Sequence, residues 1–458
     1  MSKNLLILGG YGNTGRLIAR LLLQHSDVQL VLAGRNLDRA TGQAEAFNRE
    51  FSVQRVTALR VDAADPQSLR RAYRGVDLVV AASSTAQYVE TVARTALEAG
   101  IDYLDVQYAS AKVEALQALR DEIERSGRCF ITDGGFHPGL PAALVRYAAG
   151  QFERLERADV ASVIKIDWGA LEVSPATVEE LAVELTDFRM QRYHDGRWRG
   201  AGWTGYVPFD FDPPFGRQPC APMMLEEMRS LPQQNPTLQE TGFYVGGFNW
   251  FVDYVAMPLG WAAMRLAPGQ ALAPAGGLMH WGLRTFSRPP YGTILQLEAS
   301  GVRQGRPGTL RLTLSHGDGY LLTAAPVAAC LLQWLDGTIG RPGLRFQGQV
   351  VDPERLLADV ATMGISVDVA FDVPLSRRKE RPVTTPARQR KQWSELTPGQ
   401  QRLIAVSGLV QVLLAAAALW DIRRRPAAEI RGKKWAWSLA AGTLNFVGPL
   451  AYFLLGRK

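Results

Sequence analysis

Apolar runs of strand length alternate with helix-periodic segments through the first third of this chain. Residues 5–8 are Leu-Leu-Ile-Leu, with no polar position between them, as expected of a strand buried on both faces. Leu17, Ile18, Leu21, Leu22 and Leu23 follow at helical spacing. Further strands are expected at 28–33, 55–61, 77–82, 103–106 and 128–132, and helices at 67–73, 89–99 and 113–125. The series predicts an α/β domain over residues 1–145, a doubly wound parallel sheet with helices on both faces.

Beyond residue 145 the alternation stops. Strands at 160–166, 293–298 and 309–315 stand among helical and irregular stretches, which predicts a second, α+β domain over 146–345. This domain is expected to bind substrate, and a homodimer built through it is left open. The stretch 243–266 is aromatic-rich but interrupted by Asp253 and Pro258, so it is expected to be buried or to line a cleft rather than to span a membrane. A strongly apolar helix at 321–335 and a helix at 353–363 flank Gly348-Gln349-Val350, and residues 346–370 are expected to return to the first domain. Residues 371–400 are rich in Arg, Pro and Thr and predict a linker.

The last sixty residues differ in kind. Residues 403–420 and 435–455 carry no charge, and at about 1.5 Å per residue the second could cross a bilayer core of roughly 30 Å. Trp420, Trp435, Trp437 and Tyr452 stand near the segment ends, where amphipathic rings favour the membrane interface. A helical membrane hairpin over 401–458 is therefore expected, with membrane contact through 403–455 and the first domain facing the cytoplasm. That topology places the basic connector 421–434 outside, against the positive-inside tendency. A hairpin dipping into one leaflet would relieve the conflict, and the sequence leaves both arrangements open.

Composition narrows the picture in three ways. A chain of 458 residues exceeds one ordinary core. The net charge of +7 gathers late, in Arg377–Lys391 and Arg423–Lys434, which marks membrane flanks rather than a nucleic-acid footprint. Cys129, Cys220 and Cys330 are far apart and odd in number, so neither a disulfide framework nor a zinc site is expected. The chain opens on a strand without a basic n-region, so no signal peptide is expected.

The candidate chemistry begins where the first strand ends. Gly10, Gly12 and Gly15 stand in G-x-G-x-x-G spacing between strand and helix, the context of a dinucleotide fingerprint. The first glycine allows the tight turn, the second lets backbone approach a pyrophosphate, and the third lets helix pack on strand. Tyr11, Asn13 and Thr14 complete this expected cradle. The second strand ends in Gly34-Arg35-Asn36 without a carboxylate for a ribose 2′-hydroxyl, and Arg35 suits a 2′-phosphate, so NADP(H) is expected, with Asn36 beside it. Asp62 after the third strand, and Ser83 and Ser84 after the fourth, are further cofactor candidates at the carboxyl edge. Gly134-Gly135-Phe136-His137-Pro138-Gly139 bends the chain beside the expected nicotinamide, and His137 is the candidate proton donor with Tyr108 behind it. No metal site is expected.

Three segments together resemble the saccharopine dehydrogenase-like reductases, which include saccharopine reductase and carboxynorspermidine dehydrogenase. They are Gly9 to Arg16, Tyr103-Leu104-Asp105-Val106, and Gly135-Phe136-His137-Pro138-Gly139, with a weaker likeness at Gly348-Gln349-Val350. The resemblance implies an NADP(H)-dependent oxidoreductase passing hydride to or from a C=N, C=O or C=C carbon. The amino-acid-forming members usually carry Asp where this chain has His137. That departure speaks against a saccharopine-type amino-acid substrate, and the aromatic middle and the tail together point to a hydrophobic one. Tyr108 and Lys112 also match the Tyr-x-x-x-Lys of short-chain dehydrogenases, which gives one alternative; an NADPH-binding sensor or scaffold without turnover is the other. The tail loosely resembles the two-helix membrane segment that precedes cardiolipin synthases, which implies anchoring.

Overall fold

A computed structural model describes the chain except for residues 1, 108, 170–188, 202–204, 267, 341, 377–397, 444–446 and 458. It divides into two compact units, one of residues 1–257 and 272–378, the other of 258–271 and 379–458.

The first unit holds two sheets. Seven strands form the first: β1 (Asn4–Leu8), β2 (Gln29–Gly34), β3 (Val56–Arg60), β4 (Leu78–Ala81), β5 (Asp102–Asp105), β6 (Cys129–Thr132) and β15 (Gly343–Phe346). Their order is β15-β6-β5-β4-β1-β2-β3, with every pair parallel. This is the doubly wound arrangement that the alternating pattern predicts. Strand alternation sends Leu5 and Ile7 into one core and Leu6 and Leu8 into another, which is why the run needs no polar position. Each strand is followed by a helix: α1 (Asn13–His25), α2 (Leu37–Glu50), α3 (Pro66–Ala72), α4 (Val89–Ala99), the pair α5 (Ser110–Ala118) and α6 (Arg120–Ser126), and α7 (Leu140–Gln151).

Nine strands form the second sheet: β7 (Arg154–Lys165), β8 (Gln191–His194), β9 (Arg197–Gly200), β10 (Val207–Phe211), β11 (Gly216–Met223), β12 (Glu240–Gly246), β13 (Gly292–Arg303), β14 (Arg306–His316) and β16 (Ser366–Phe371). It is mixed, with β12 and β7 parallel and the other neighbours antiparallel. The helix Gly319–Leu335 is buried along most of its length and joins a core with Ile18, Leu22 and Leu297. The expected return segment serves both sheets: β15 extends the first beside β6, and β16 extends the second beside β14. The aromatic stretch, expected to be buried or to line a cleft, divides: Phe243 and Tyr244 are buried on β12, whereas Trp250 and Tyr254 stand largely exposed.

The second unit bears on the two hairpin arrangements that the sequence leaves open. No helix among the described residues is long and apolar enough to cross a membrane. The helix Pro398–Arg424 is continuous, but residues 435–455 are not one helix. They form Lys434–Thr443, Val447–Ala451 and the π-helical turn Tyr452–Gly456. The chain folds back on itself, bringing Trp437 against Tyr452 with ring centroids 5.9 Å apart. Gly448 permits the reversal, since a Cβ there would lie only 1.8 Å from the carbonyl oxygen of Ala440.

Candidate functional site

The strand order reverses its direction of travel between β1 and β4, and ligands of open α/β sheets bind outside the carboxyl ends of the strands at such a point. The glycine-rich turn lies there. The Gly12 N–H donates to the Gly9 oxygen at 2.8 Å, closing the turn, and the Gly9 N–H donates to Ala33 of β2 at 2.7 Å. A Cβ at Gly15 would come within 2.3 Å of the Gly9 oxygen, so only glycine lets α1 pack this close. A Cβ at Gly10 would press on Leu32 at 2.9 Å. At Gly12 the same atom would meet only the Gly9 oxygen at 3.1 Å and otherwise open space, the side from which a pyrophosphate approaches. α1 has no capping side chain and no acidic residue in its first turn, so the N–H groups around Asn13 and Thr14 remain available to phosphate.

Tyr11 organises the adenosine side. Its hydroxyl accepts the Asn36 N–H at 3.2 Å, and Gly34 leaves room for the ring, since a Cβ there would lie 2.6 Å from it. The Arg39 guanidinium lies 5.1 Å from the Tyr11 ring centroid, a cation–π contact. Arg35 is exposed at the end of β2. Arg39 is thus a second guanidinium near the end of β2, where the sequence singled out Arg35 alone. Arg39 lies inside α2 rather than at a strand end, which hid it from a strand-end argument. The Asn36 Oδ1 caps α2 by accepting the Arg39 N–H at 3.0 Å. Asp62 likewise serves its own turn, accepting the Ala64 N–H at 3.0 Å.

On the nicotinamide side, Ser83 backs the glycine turn, its Cβ standing 2.8 Å from where a Gly9 Cβ would be. Its hydroxyl pairs with Thr85 Oγ1 at 2.9 Å, and its carbonyl accepts Gln107 Nε2 at 2.6 Å. Ser84 is exposed at the carboxyl edge. Tyr108 lies outside the described residues.

Lys112 does not face this cleft. Its ammonium is fully buried and donates to Asp105 Oδ1 at 2.7 Å, Asp133 Oδ1 at 2.5 Å and the Gln107 carbonyl at 2.6 Å. Burial alone would lower its pKa, but the two carboxylates outweigh that and hold it above the ordinary lysine value. A lysine committed to three buried acceptors is unavailable to a cofactor ribose, so the short-chain dehydrogenase use of Lys112 is corrected. Asp105 also accepts from Thr132 Oγ1 at 2.8 Å and from the Gly134 N–H through its carbonyl, which fixes the departure of the chain from β6.

His137 is half-buried as a residue, yet its Nε2 is shut off from solvent with no hydrogen-bond partner. Its ring lies against Phe136 and Phe243, with centroids 4.3 and 5.2 Å away. Burial lowers its pKa to about 4, so the imidazole is neutral near pH 7. This setting disfavours the charged form that a proton donor needs. The turn that carries His137 is held from outside: Glu227, brought from the second sheet domain and fully buried, accepts the Gly139 N–H at 2.9 Å. Gly139 has φ 123°, and a Cβ there would lie 2.5 Å from the Gly135 oxygen. Burial raises the Glu227 carboxyl to about 8, with Asp133 adding to the rise. Asp133 is itself raised, by burial first, with Lys112 opposing. Glu227 is 88 residues from its partner, and no local pattern marks it.

Residues 5–131 match the saccharopine dehydrogenase NADP binding domain, and residues 413–457 match the phospholipase D-nuclease N-terminal segment. The first match supports NADP(H) binding by the N-terminal domain. Apo saccharopine dehydrogenase (L-Glu forming) from Saccharomyces cerevisiae is similar in fold, with a TM-score of 0.59 at 15% identity over 81% of this chain and 100% of that one. A myo-inositol dehydrogenase from Corynebacterium glutamicum matches at TM-score 0.39 and 12% identity, covering 82% of this chain and 100% of its own. A short-chain dehydrogenase/reductase from Veillonella parvula in complex with NADP matches at 0.23 and 17%, over 29% of this chain and 68% of that chain. The last two similarities are too low to bear on function.

Proposed function

We propose that this chain is a membrane-associated, NADP(H)-dependent oxidoreductase that passes hydride to or from a C=N, C=O or C=C carbon of a hydrophobic substrate. The observation that carries the proposal is the cradle itself. It joins a glycine turn open only at Gly12, a helix N-terminus left uncapped, and Arg35 with Arg39 at the adenosine end. The cofactor supplies the hydride chemistry. The residues of the chain then bind and orient: the first-turn N–H groups of α1 hold pyrophosphate, and the two arginines hold the 2′-phosphate. Ser83, Thr85 and Gln107 form a hydrogen-bonded floor at the end of β4, beside the nicotinamide position. The neutral His137, packed between two phenyl rings, supports an apolar wall rather than a charged one.

A second reading has its own support. With Nε2 of His137 closed off and Lys112 committed to carboxylates, neither is free to deliver a proton, which suits an NADPH-binding sensor without turnover. NADPH consumption measured over a panel of imines, enones and ketones, with a binding titration beside it, separates the two. Arg35→Ala is expected to remove most of the preference for NADPH over NADH, because a hydrogen bond to a charged group contributes about 1.5–3 kcal/mol. Equal affinities in the unsubstituted protein would refute the 2′-phosphate assignment.

A further inference from the structure

The tail unit has a charged foot and an uncharged body, and both ends of its second segment belong to the foot. The Arg431 N–H donates to the Gly456 carbonyl at 2.8 Å, and Ile430 bridges to Arg457. Asp421, on the helix Pro398–Arg424, gathers that end together. Its Oδ2 accepts from Tyr452 Oη at 2.6 Å, Arg425 Nε at 2.9 Å and Arg457 Nε at 3.1 Å. Its Oδ1 lies 3.0 Å from the other arm of Arg457. Residues 431 and 457 therefore lie side by side, which no single crossing of a bilayer allows.

Charge and exposure indicate what meets this unit. From residue 413 to 458 eight basic residues face two acidic ones, Asp421 and Glu429. Asp421 engages Arg425 and Arg457, and Glu429 pairs with Arg425. Arg423, Arg424, Arg431 and Lys433 remain exposed around the foot. Arg424 stacks over the exposed Trp420 ring at 4.1 Å, a cation beside an amphipathic ring. Away from the foot no charge occurs between 435 and 455, while Trp435, Leu439 and Leu454 are 66%, 58% and 65% exposed. The arm Lys434–Thr443 has ten residues, about 15 Å at 1.5 Å per residue, or half of a hydrocarbon core of roughly 30 Å.

We infer that residues 431–457 form a re-entrant hairpin that enters one leaflet of an anionic bilayer and leaves on the side from which it came. Arg423, Arg424, Arg431 and Lys433 lie at the level of the lipid phosphates, and Trp420 and Trp435 at the interface. The inference rests on the membrane association proposed above and adds to it a topology and a lipid class.

The test uses the full chain, whose native Cys129, Cys220 and Cys330 are buried and give little background. Single cysteines are introduced as Lys433→Cys, as Gly442→Cys, and as a residue appended after Lys458. Each is probed with a membrane-impermeant maleimide in sealed vesicles of both orientations. The first and third are expected to label from the same side, and Gly442→Cys from neither. Labelling of the first and third from opposite sides would overturn the re-entrant topology while leaving membrane anchoring intact. Binding of purified protein to phosphatidylcholine vesicles with and without phosphatidylglycerol reports the lipid class. About tenfold tighter binding to the anionic vesicles is expected, lost on converting the four exposed cations to Gln. Equal binding to both would overturn the headgroup assignment. Absence of vesicle binding would overturn both the hairpin and the membrane part of the proposed function. An NADPH titration of the same samples reports separately on the cofactor site.

Discussion

Replacing Glu227 by Gln should make this protein more stable in mild alkali, although the substitution removes a buried carboxyl that holds the turn carrying His137. The Glu227 carboxyl is fully buried, and burial raises it to about 8 from an ordinary 4.5, with Asp133 adding to the rise and Lys112 and the Gly139 N–H opposing it. Between pH 4.5 and 8 the folded chain thus keeps a proton that the unfolded chain has released. Stability is fullest below 4.5 and is lost as pH rises through 8. From pH 6 to pH 9 the loss runs over about two pH units before the folded carboxyl also ionises, which corresponds to about 3 kcal/mol. A Gln amide keeps an oxygen to accept the Gly139 N–H and carries no titrating proton. Urea unfolding of both proteins at pH 6, 7, 8 and 9 should show Glu227→Gln gaining about 3 kcal/mol on the parent across that range. Glu227→Ala is the control, losing the acceptor and leaving a void, and should be destabilised at every pH. A constant difference between Glu227→Gln and the parent across the range would refute a raised Glu227 and the buried acid cluster with it.

Other outcomes follow from the same structure. Gly12→Val should abolish NADPH binding with little change in fold, since the side chain enters the open side of the turn. Gly15→Ala should instead destabilise the domain, because its Cβ would lie 2.3 Å from the Gly9 oxygen; fluorescence titration and circular dichroism melting distinguish them. Lys112→Met would leave Asp105 and Asp133 unpaired in the interior and should cost about 3–5 kcal/mol in urea unfolding, without a selective effect on NADPH affinity at low temperature. His137, with its pKa depressed to about 4, makes the folded state lose stability as pH falls from 6.5 towards 4, because the unfolded imidazole takes up a proton first. His137→Asn should remove about 3 kcal/mol of that acid dependence when melting is compared at pH 4 and pH 7.

What the sequence determined by itself is whatever depends on neighbours within a few residues. The apolar runs at 5–8 and 28–33 declare strands covered on both faces, and the spacing of Gly10, Gly12 and Gly15 declares a turn onto a helix, because both follow from backbone geometry. The place of Arg35 at the end of the second strand was legible for the same reason. Only the tertiary structure decided the rest. Lys112 sits at a plausible motif spacing from Tyr108, yet its surroundings are Asp105 on one strand and Asp133 after the next, and burial between them settles its charge and its duty. His137 is titratable in sequence, but Phe243, more than a hundred residues away, takes away the water that would let it titrate near neutrality. Hydropathy reads residues 435–455 as one span because it averages along the chain. The contacts of Gly448 with Ala440 and of Arg431 with Gly456 fold that span in half, and a linear average cannot register two residues meeting across a reversal.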